Sequence, residues 1–132
     1  MMWNRLLAML LAGLLVFAAT ARAQEAAASA AELPLFAVEI RTGAKWDATK
    51  PPGDQAFFRE HSANLKRLRD AGSLVMGARY GDKGLVVLAA ANEASARAMM
   101  DEDPSFRAEI FRYEMNPMNV FYPGHLNRRP RP

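Results

Sequence analysis

Two successive parts of this chain repeat one order of hydrophobic patterns, and that repetition constrains the fold more than any other feature. The stretch LFAVEIR, residues 35–41, alternates apolar and polar side chains as a half-buried strand does. Residues 54–72 follow with an apolar stripe at helical spacing, for which Asp54 is the predicted N-cap and Gly72 the predicted end. The stripe consists of Phe58, His61, Leu65 and Leu68. A strand, SLVMGARY at residues 73–80, completes the first part.

The second part begins with another strand, GLVVLAA at residues 84–90, which the turn GDK joins to the first part as a hairpin. Asn92 then caps a predicted helix, EASARAMMDED, that Pro104 stops because a residue before proline is disfavoured in the α region. FRAEIFRYEM, residues 106–115, reads as the last strand, and Pro117 separates it from a short extended piece.

The resulting order β-α-β-β-α-β predicts an α+β, ferredoxin-like split βαβ fold: an antiparallel sheet with two helices on one face. The other sheet face would be uncovered by its own chain. A second copy facing it would give a homodimeric α+β barrel, whereas a polar face would suit a monomer. Four consecutive apolar residues, Leu85–Leu88, favour the homodimer.

The first 23 residues have the three parts of a secretory signal peptide. A basic start is followed by an apolar core at residues 6–19 and by the small-x-small site at residues 21–23. We interpret it as cleaved after Ala23, giving a periplasmic or secreted protein without stable membrane insertion; an uncleaved anchor is the alternative, although the core is short for one. Residues 24–34 read as a flexible linker, 35–124 as the single domain, and 125–132 as a basic disordered tail.

Charge and cysteine content exclude several classes of protein. Without residues 1–23 the chain has 15 basic and 14 acidic residues, and the tail takes three of the arginines, so the domain has no basic excess for nucleic acid. No cysteine is present, which excludes disulfides and thiolate metal sites. The two histidines and the carboxylates show no ligand spacing, so we predict neither a metal nor another cofactor.

His61 and Asp103 are the candidate catalytic residues. His61 stands on the apolar stripe of the first helix, and Asp103 follows the second helix, which the fold lays beside the first. A carboxylate that accepts from one imidazole nitrogen raises the basicity of the other nitrogen, which suits a general base. The alternatives are a packing role for His61 and ordinary Asp-Pro turn chemistry for Asp103.

Three further residues are candidates for binding a small-molecule ligand or substrate. Arg79 and Tyr80 end the second strand and would supply an anion clamp and a hydroxyl, unless Arg79 simply faces solvent. Trp46 lies in the long loop TGAKWDATKPPGD, where it would either stack on a substrate or anchor its own loop.

The stretches EHSANLKRLRDAGSLVMG and DEDPSF resemble the YCII-related (YciI-like) domain family, over essentially Leu35 to Gly124. The resemblance implies a ferredoxin-like domain that dimerises as an α+β barrel, with a His-Asp pair that falls on His61 and Asp103. Relatives are implicated in cofactor-independent chemistry on oxygenated or chlorinated ring compounds. The signal peptide and the long loop depart from the simplest members of that family.

Three functions follow as hypotheses. The first is an exported, cofactor-independent enzyme of lyase, isomerase or dehalogenase type, with His61 as acid or base, Asp103 orienting it, and Arg79 polarising a substrate oxygen. The second is a periplasmic binding module that holds a small molecule without turnover. In the third, dimerisation is the role and His61 is a core residue.

Overall fold

Four strands, two longer helices and two short helical turns form the part of the chain that the computed structural model describes, residues 33–124. The strands are β1 (Leu35–Thr42), β2 (Leu74–Tyr80), β3 (Lys83–Ala89) and β4 (Phe111–Met118). The helices are α1 (Phe58–Asp70), α2 (Glu93–Asp101) and the one-turn α3 (Pro104–Arg107), and a 3₁₀ turn covers Pro52–Asp54. The predicted signal peptide, most of the linker and the tail lie outside the described residues.

The strands form one antiparallel sheet in the order β2-β3-β1-β4. β1 and β3 are the central strands, and β1 pairs along its whole length with β4. The predicted α+β class with an antiparallel sheet is therefore confirmed, and the arrangement is compatible with a ferredoxin-like fold.

One face of this sheet carries the hydrophobic core. Phe36, Val38 and Ile40 alternate along β1 and are at most 6% exposed, as the period-two pattern predicts. Leu68 of α1 and Met100 of α2 complete the same core, so both helices pack against this face. Within residues 33–124 no helix is long and apolar enough to cross a membrane.

The start of α1 differs from the prediction. Asp54 closes the 3₁₀ turn and caps no helix, and α1 begins only after Phe57, whose φ of 59° is left-handed and whose side chain makes no cap hydrogen bond. The proline pair Pro51-Pro52 starts the 3₁₀ turn, and the chain becomes extended at Gln55 before it can enter the helix. The apolar stripe predicted the body of α1 correctly, but not its beginning.

The last strand also differs from the prediction. Residues 104–107 form the turn α3, and the strand runs from Phe111 through Pro117 to Met118. Pro117 is tolerated because β4 is an edge strand that pairs only with β1, so the missing N–H leaves no second ladder unsatisfied.

The loop between β1 and the 3₁₀ turn is fixed at both ends. At its start, Gly43 donates its N–H to the carbonyl of Ile110 at 2.8 Å, and Lys45 donates to the carbonyl of Glu109 at 3.0 Å. At its end, the buried Gln55 amide donates to the carbonyls of Asp47 and Lys50 at 2.6 and 3.2 Å and accepts from the N–H of Asp47. These bonds give Trp46 a defined position.

We expect Gly43→Ala to lower the free energy of unfolding by about 1–3 kcal/mol. A Cβ at this position would lie 2.1 Å from the carbonyl oxygen of Glu109, so two backbone segments would have to separate. Gly53→Ala is the matched control, because a Cβ there meets nothing within 4 Å. Urea denaturation of both variants measures the difference, and equal losses would contradict the close approach.

Candidate active site

A buried histidine and a buried aspartate meet beneath α1. His61 lies in the first turns of α1 and is 8% exposed, and Asp103 is fully buried between α2 and α3. Nδ1 of His61 is 2.6 Å from Oδ2 of Asp103. The structure thus brings the two candidate catalytic side chains into direct contact across 42 residues of sequence.

Asp103 owes its position to a helix start. It is the N-cap of α3, whose first residue is Pro104, and its Oδ1 accepts the backbone N–H of Ser105 at 2.9 Å. Aspartate is favoured at an N-cap, and proline suits the first helical position because its missing N–H is not needed there. Local capping therefore fixes one carboxylate oxygen and leaves the other for His61.

The two acidic residues before Asp103 are also accounted for. Anions near the end of α2 would be unfavourable if they met only its unpaired carbonyls. Asp101 accepts a hydrogen bond of 2.8 Å from the hydroxyl of Tyr113 on β4, and Glu102 pairs with Arg67 of α1. Each of these exposed acidic side chains therefore has a donor on another element.

The hydrogen bond with Asp103 assigns the roles of the imidazole nitrogens. A carboxylate only accepts, so Nδ1 carries the hydrogen and Nε2 holds the lone pair. No described residue forms a hydrogen bond with Nε2. Every buried polar side-chain atom of the described residues has a hydrogen-bond partner, so Nε2 is not buried and is accessible to solvent. His61 can therefore accept a proton through Nε2.

Ser105 belongs to the same cluster and was not predicted from the sequence. Its side chain is fully buried, and its Oγ lies 3.5 Å from Nδ1 of His61. Its hydroxyl and its backbone N–H, which donates to Asp103, therefore place two polar groups beside the pair. An Asp-Pro-Ser sequence is the signal that was available, because it is typical of a capped helical turn.

Aromatic rings enclose the imidazole. Phe111 lies 4.5 Å from the His61 ring between centroids, and Phe106 meets it edge-on at 5.8 Å. Trp46 packs on Phe111 at 5.3 Å, so it anchors its own loop and also reaches the site. Trp46 was predicted from the sequence as a ligand-binding residue, but neither phenylalanine was, because contact with His61 depends on how α3 and β4 fold around the helix.

A cavity of about 720 Å³ opens between α1 and the sheet, and His61 and Trp46 are part of its wall. Its floor includes Gly77 of β2 and Gly84 of β3, which occupy positions facing the helices. Since glycine has no side chain, the core is interrupted there. A cavity of this size is within the range that binds small organic ligands.

Arg79 and Tyr80 are separated by the sheet. Arg79 follows Gly77 by two residues, points to the helical face and lines the cavity, but it is exposed and so also faces solvent. Tyr80 points to the opposite face, where its hydroxyl donates to Glu39 at 2.5 Å, and it is not part of the cavity wall. Successive strand residues point to opposite faces, so the two cannot serve one pocket.

Burial and hydrogen bonding act in opposite directions on the pKa of Asp103. Burial raises this pKa, but hydrogen bonds from His61 and from Ser105 outweigh it and bring the pKa below the ordinary value of 3.8. Asp103 is therefore a carboxylate at neutral pH, as the assignment of the imidazole hydrogen requires.

The lowered pKa predicts a stability contribution that acid removes. It is fully present above the unfolded pKa of about 4 and is lost as the pH falls through the lower folded pKa. We therefore expect the unfolding free energy of Asp103→Asn to depend less on pH between about 2 and 4 than that of the wild type. Urea denaturation across this range measures it. Asp54→Asn, which removes an exposed carboxylate without an ion pair among the described residues, is the control, and parallel curves for Asp103→Asn and wild type would contradict the prediction.

Residues 33–124 contain no group of three or more His, Asp or Glu side chains placed to hold a metal ion. No protein-family model matches the chain, and no curated protein has significant sequence similarity to it. The YCII-related resemblance thus stays a prediction that depends on the quoted residues, and the function has to be argued from the site.

Proposed function

We propose that this protein is an exported, cofactor-independent enzyme that catalyses proton transfer on a small oxygenated organic compound. The observation that carries the proposal is the hydrogen bond of 2.6 Å between His61 and Asp103 beside a cavity of about 720 Å³. Lyase, isomerase and dehalogenase reactions that proceed through an enolate share one step. In this step a base removes a proton from the carbon next to a carbonyl group.

In this mechanism His61 is the general base. Nε2 accepts the substrate proton, and the carboxylate of Asp103 stabilises the imidazolium that forms while holding the ring in place. Return of the proton to another substrate atom would complete an isomerisation, and loss of a leaving group such as chloride would complete an elimination. Arg79, on the cavity wall, stands on the edge strand opposite to Phe111 and His61, so it would bind a substrate oxygen remote from the reacting carbon and not the oxygen beside it.

Deuterium exchange tests the proposal without knowledge of the complete reaction. The protein is incubated in D₂O with lactones, 1,3-diketones and hydroxylated aromatic compounds, and proton NMR follows the loss of C–H signals. Catalysed exchange for at least one compound class supports an enzyme. Saturation-transfer NMR on the same samples detects binding, and binding without exchange of any compound would favour the binding module.

A homodimer is part of the proposal. Leu85 and Val87 alternate with the core residues Val86 and Leu88, so they point to the sheet face away from the helices. Val87 is already buried there within one chain, whereas Leu85 is only half-buried. Burial of that face against a second copy would join two sheets into an α+β barrel. Sedimentation equilibrium tests this point, and a monomer at every concentration would contradict it.

Export and family membership complete the proposal. Residues 1–23 have the order of a cleaved signal peptide, and the quoted motifs resemble the YCII-related family. The intact mass of the protein purified from its native host tests cleavage, and retention of residues 1–23 would favour the anchor.

A further inference from the structure

The charged residues around the cavity are mostly basic. Five basic residues contribute atoms to its wall: Arg41, Lys66, Arg69, Arg79 and Lys83. Arg41 and Lys83 point with Glu39 to the opposite face of the sheet, so the charges on the cavity side are those of Lys66, Arg69 and Arg79. The acidic residue of the wall is Asp82. An excess of positive charge around a largely apolar cavity favours an anionic ligand.

Most of these cations already have partners. Glu39 pairs with Arg41 and lies 4.0 Å from Lys83. On α1, Asp70 pairs with both Lys66 and Arg69.

Arg79 differs from the other cations. Among residues 33–124 its guanidinium forms neither an ion pair nor a hydrogen bond. The planar guanidinium offers two parallel N–H donors to a carboxylate. Arg79 therefore has the geometry and the unused capacity to bind one carboxylate.

The sheet separates Arg79 from His61 by the width of a small ligand. Arg79 is on β2, and Phe111, which contacts His61, is on β4. β2 and β4 are the two edge strands of the sheet. With strands about 4.8 Å apart, their backbones are roughly 14 Å from each other. The arginine side chain covers part of this distance, and a ligand body over Gly77 and Gly84 would cover the rest.

We infer that the ligand of this cavity is a small organic carboxylate, held by Arg79 through its carboxylate, with an apolar body over the two glycines and its reactive end at His61. This inference names the substrate class of the proposed function. Only the placement of the reactive end at His61 rests on that proposed function. The carboxylate preference depends only on Arg79 and the shape of the cavity.

Three acids and their amides test the preference, because each pair has the same shape and differs in charge. The acids are benzoate, phenylacetate and 3-phenylpropanoate, and the amides are benzamide, phenylacetamide and 3-phenylpropanamide. Calorimetry and NMR measure the dissociation constant of each compound. We expect at least one acid to bind about 10-fold or more tightly than its amide, in line with a charge-assisted pair. In Arg79→Gln this difference should disappear, whereas Arg59→Gln, which removes an exposed arginine of α1 outside the cavity, should retain it.

Each other result overturns the inference. These are equal affinity for acid and amide, an unchanged preference in Arg79→Gln, equal loss in Arg59→Gln, or no acid with a Kd below about 10 mM. His61→Gln separates this inference from the proposed function, since it should abolish proton exchange and keep the acid preference. If no compound undergoes exchange but the preference depends on Arg79, the enzyme proposal fails and the carboxylate site stands.

Discussion

Asp103→Ala is expected to lower the free energy of unfolding by about 3–5 kcal/mol, because it removes one partner of a buried pair. The truncation leaves Nδ1 of His61 and the N–H of Ser105 without their acceptor, and both side chains are buried. It also removes the N-cap of α3. Urea denaturation at neutral pH measures the loss.

The matched control for this prediction is Asp101→Ala. Asp101 precedes Asp103 by two residues and is exposed, and its one side-chain hydrogen bond within residues 33–124 is with Tyr113. Its truncation should cost about 1 kcal/mol or less. If both variants lost the same stability, the buried pair would contribute nothing beyond a surface hydrogen bond, and the site would need another explanation.

His61→Ala is expected to slow proton exchange by about 10²–10⁴-fold, the range that a positioned general base contributes. The reason is Nε2, the nitrogen that holds the lone pair when Nδ1 donates to Asp103. Added imidazole should restore part of the rate, because a small base can occupy the space that the side chain leaves. Exchange in D₂O measures both effects, and circular dichroism checks that the variant is folded.

His125→Ala is the control, since the chain has two histidines and this is the other one. It should exchange at the wild-type rate. A normal rate in His61→Ala would exclude His61 as the base, and an unfolded His61→Ala would move the test to His61→Gln, in which exchange should again be lost. Loss of exchange without rescue by imidazole would point to a packing role for the histidine.

Much of the secondary structure follows from short-range patterns. The alternation of Phe36, Val38 and Ile40 predicted β1, and the apolar stripe around Leu68 predicted α1. Asn92 was predicted as a cap, and its side chain accepts the N–H of Ser95. These predictions succeeded because the spacing of side chains on one face is a local property of the backbone.

Boundaries and side-chain neighbours were predicted less well. Asp54 is a residue type favoured at helix N-caps, but it closes a 3₁₀ turn. Residues 106–110 were predicted as strand, but residues 106 and 107 belong to α3. Local propensity could not predict where β4 begins, because its start depends on the long-range hydrogen bonds from Gly43 and Lys45 to residues 110 and 109. Tyr80 was grouped with Arg79, although adjacent residues of a strand point to opposite faces.

The sequence by itself determined which residues are candidates for a functional site: a histidine on an apolar stripe, an aspartate before a proline, and an arginine at the end of a strand. Only the tertiary structure decided that His61 and Asp103 meet, that Phe106 and Phe111 enclose the imidazole, and that two glycines leave a cavity beside it. The reason is physical. Spacing along one element determines a face, whereas a site joins faces of several elements, and the packing of the whole core determines how these lie against each other.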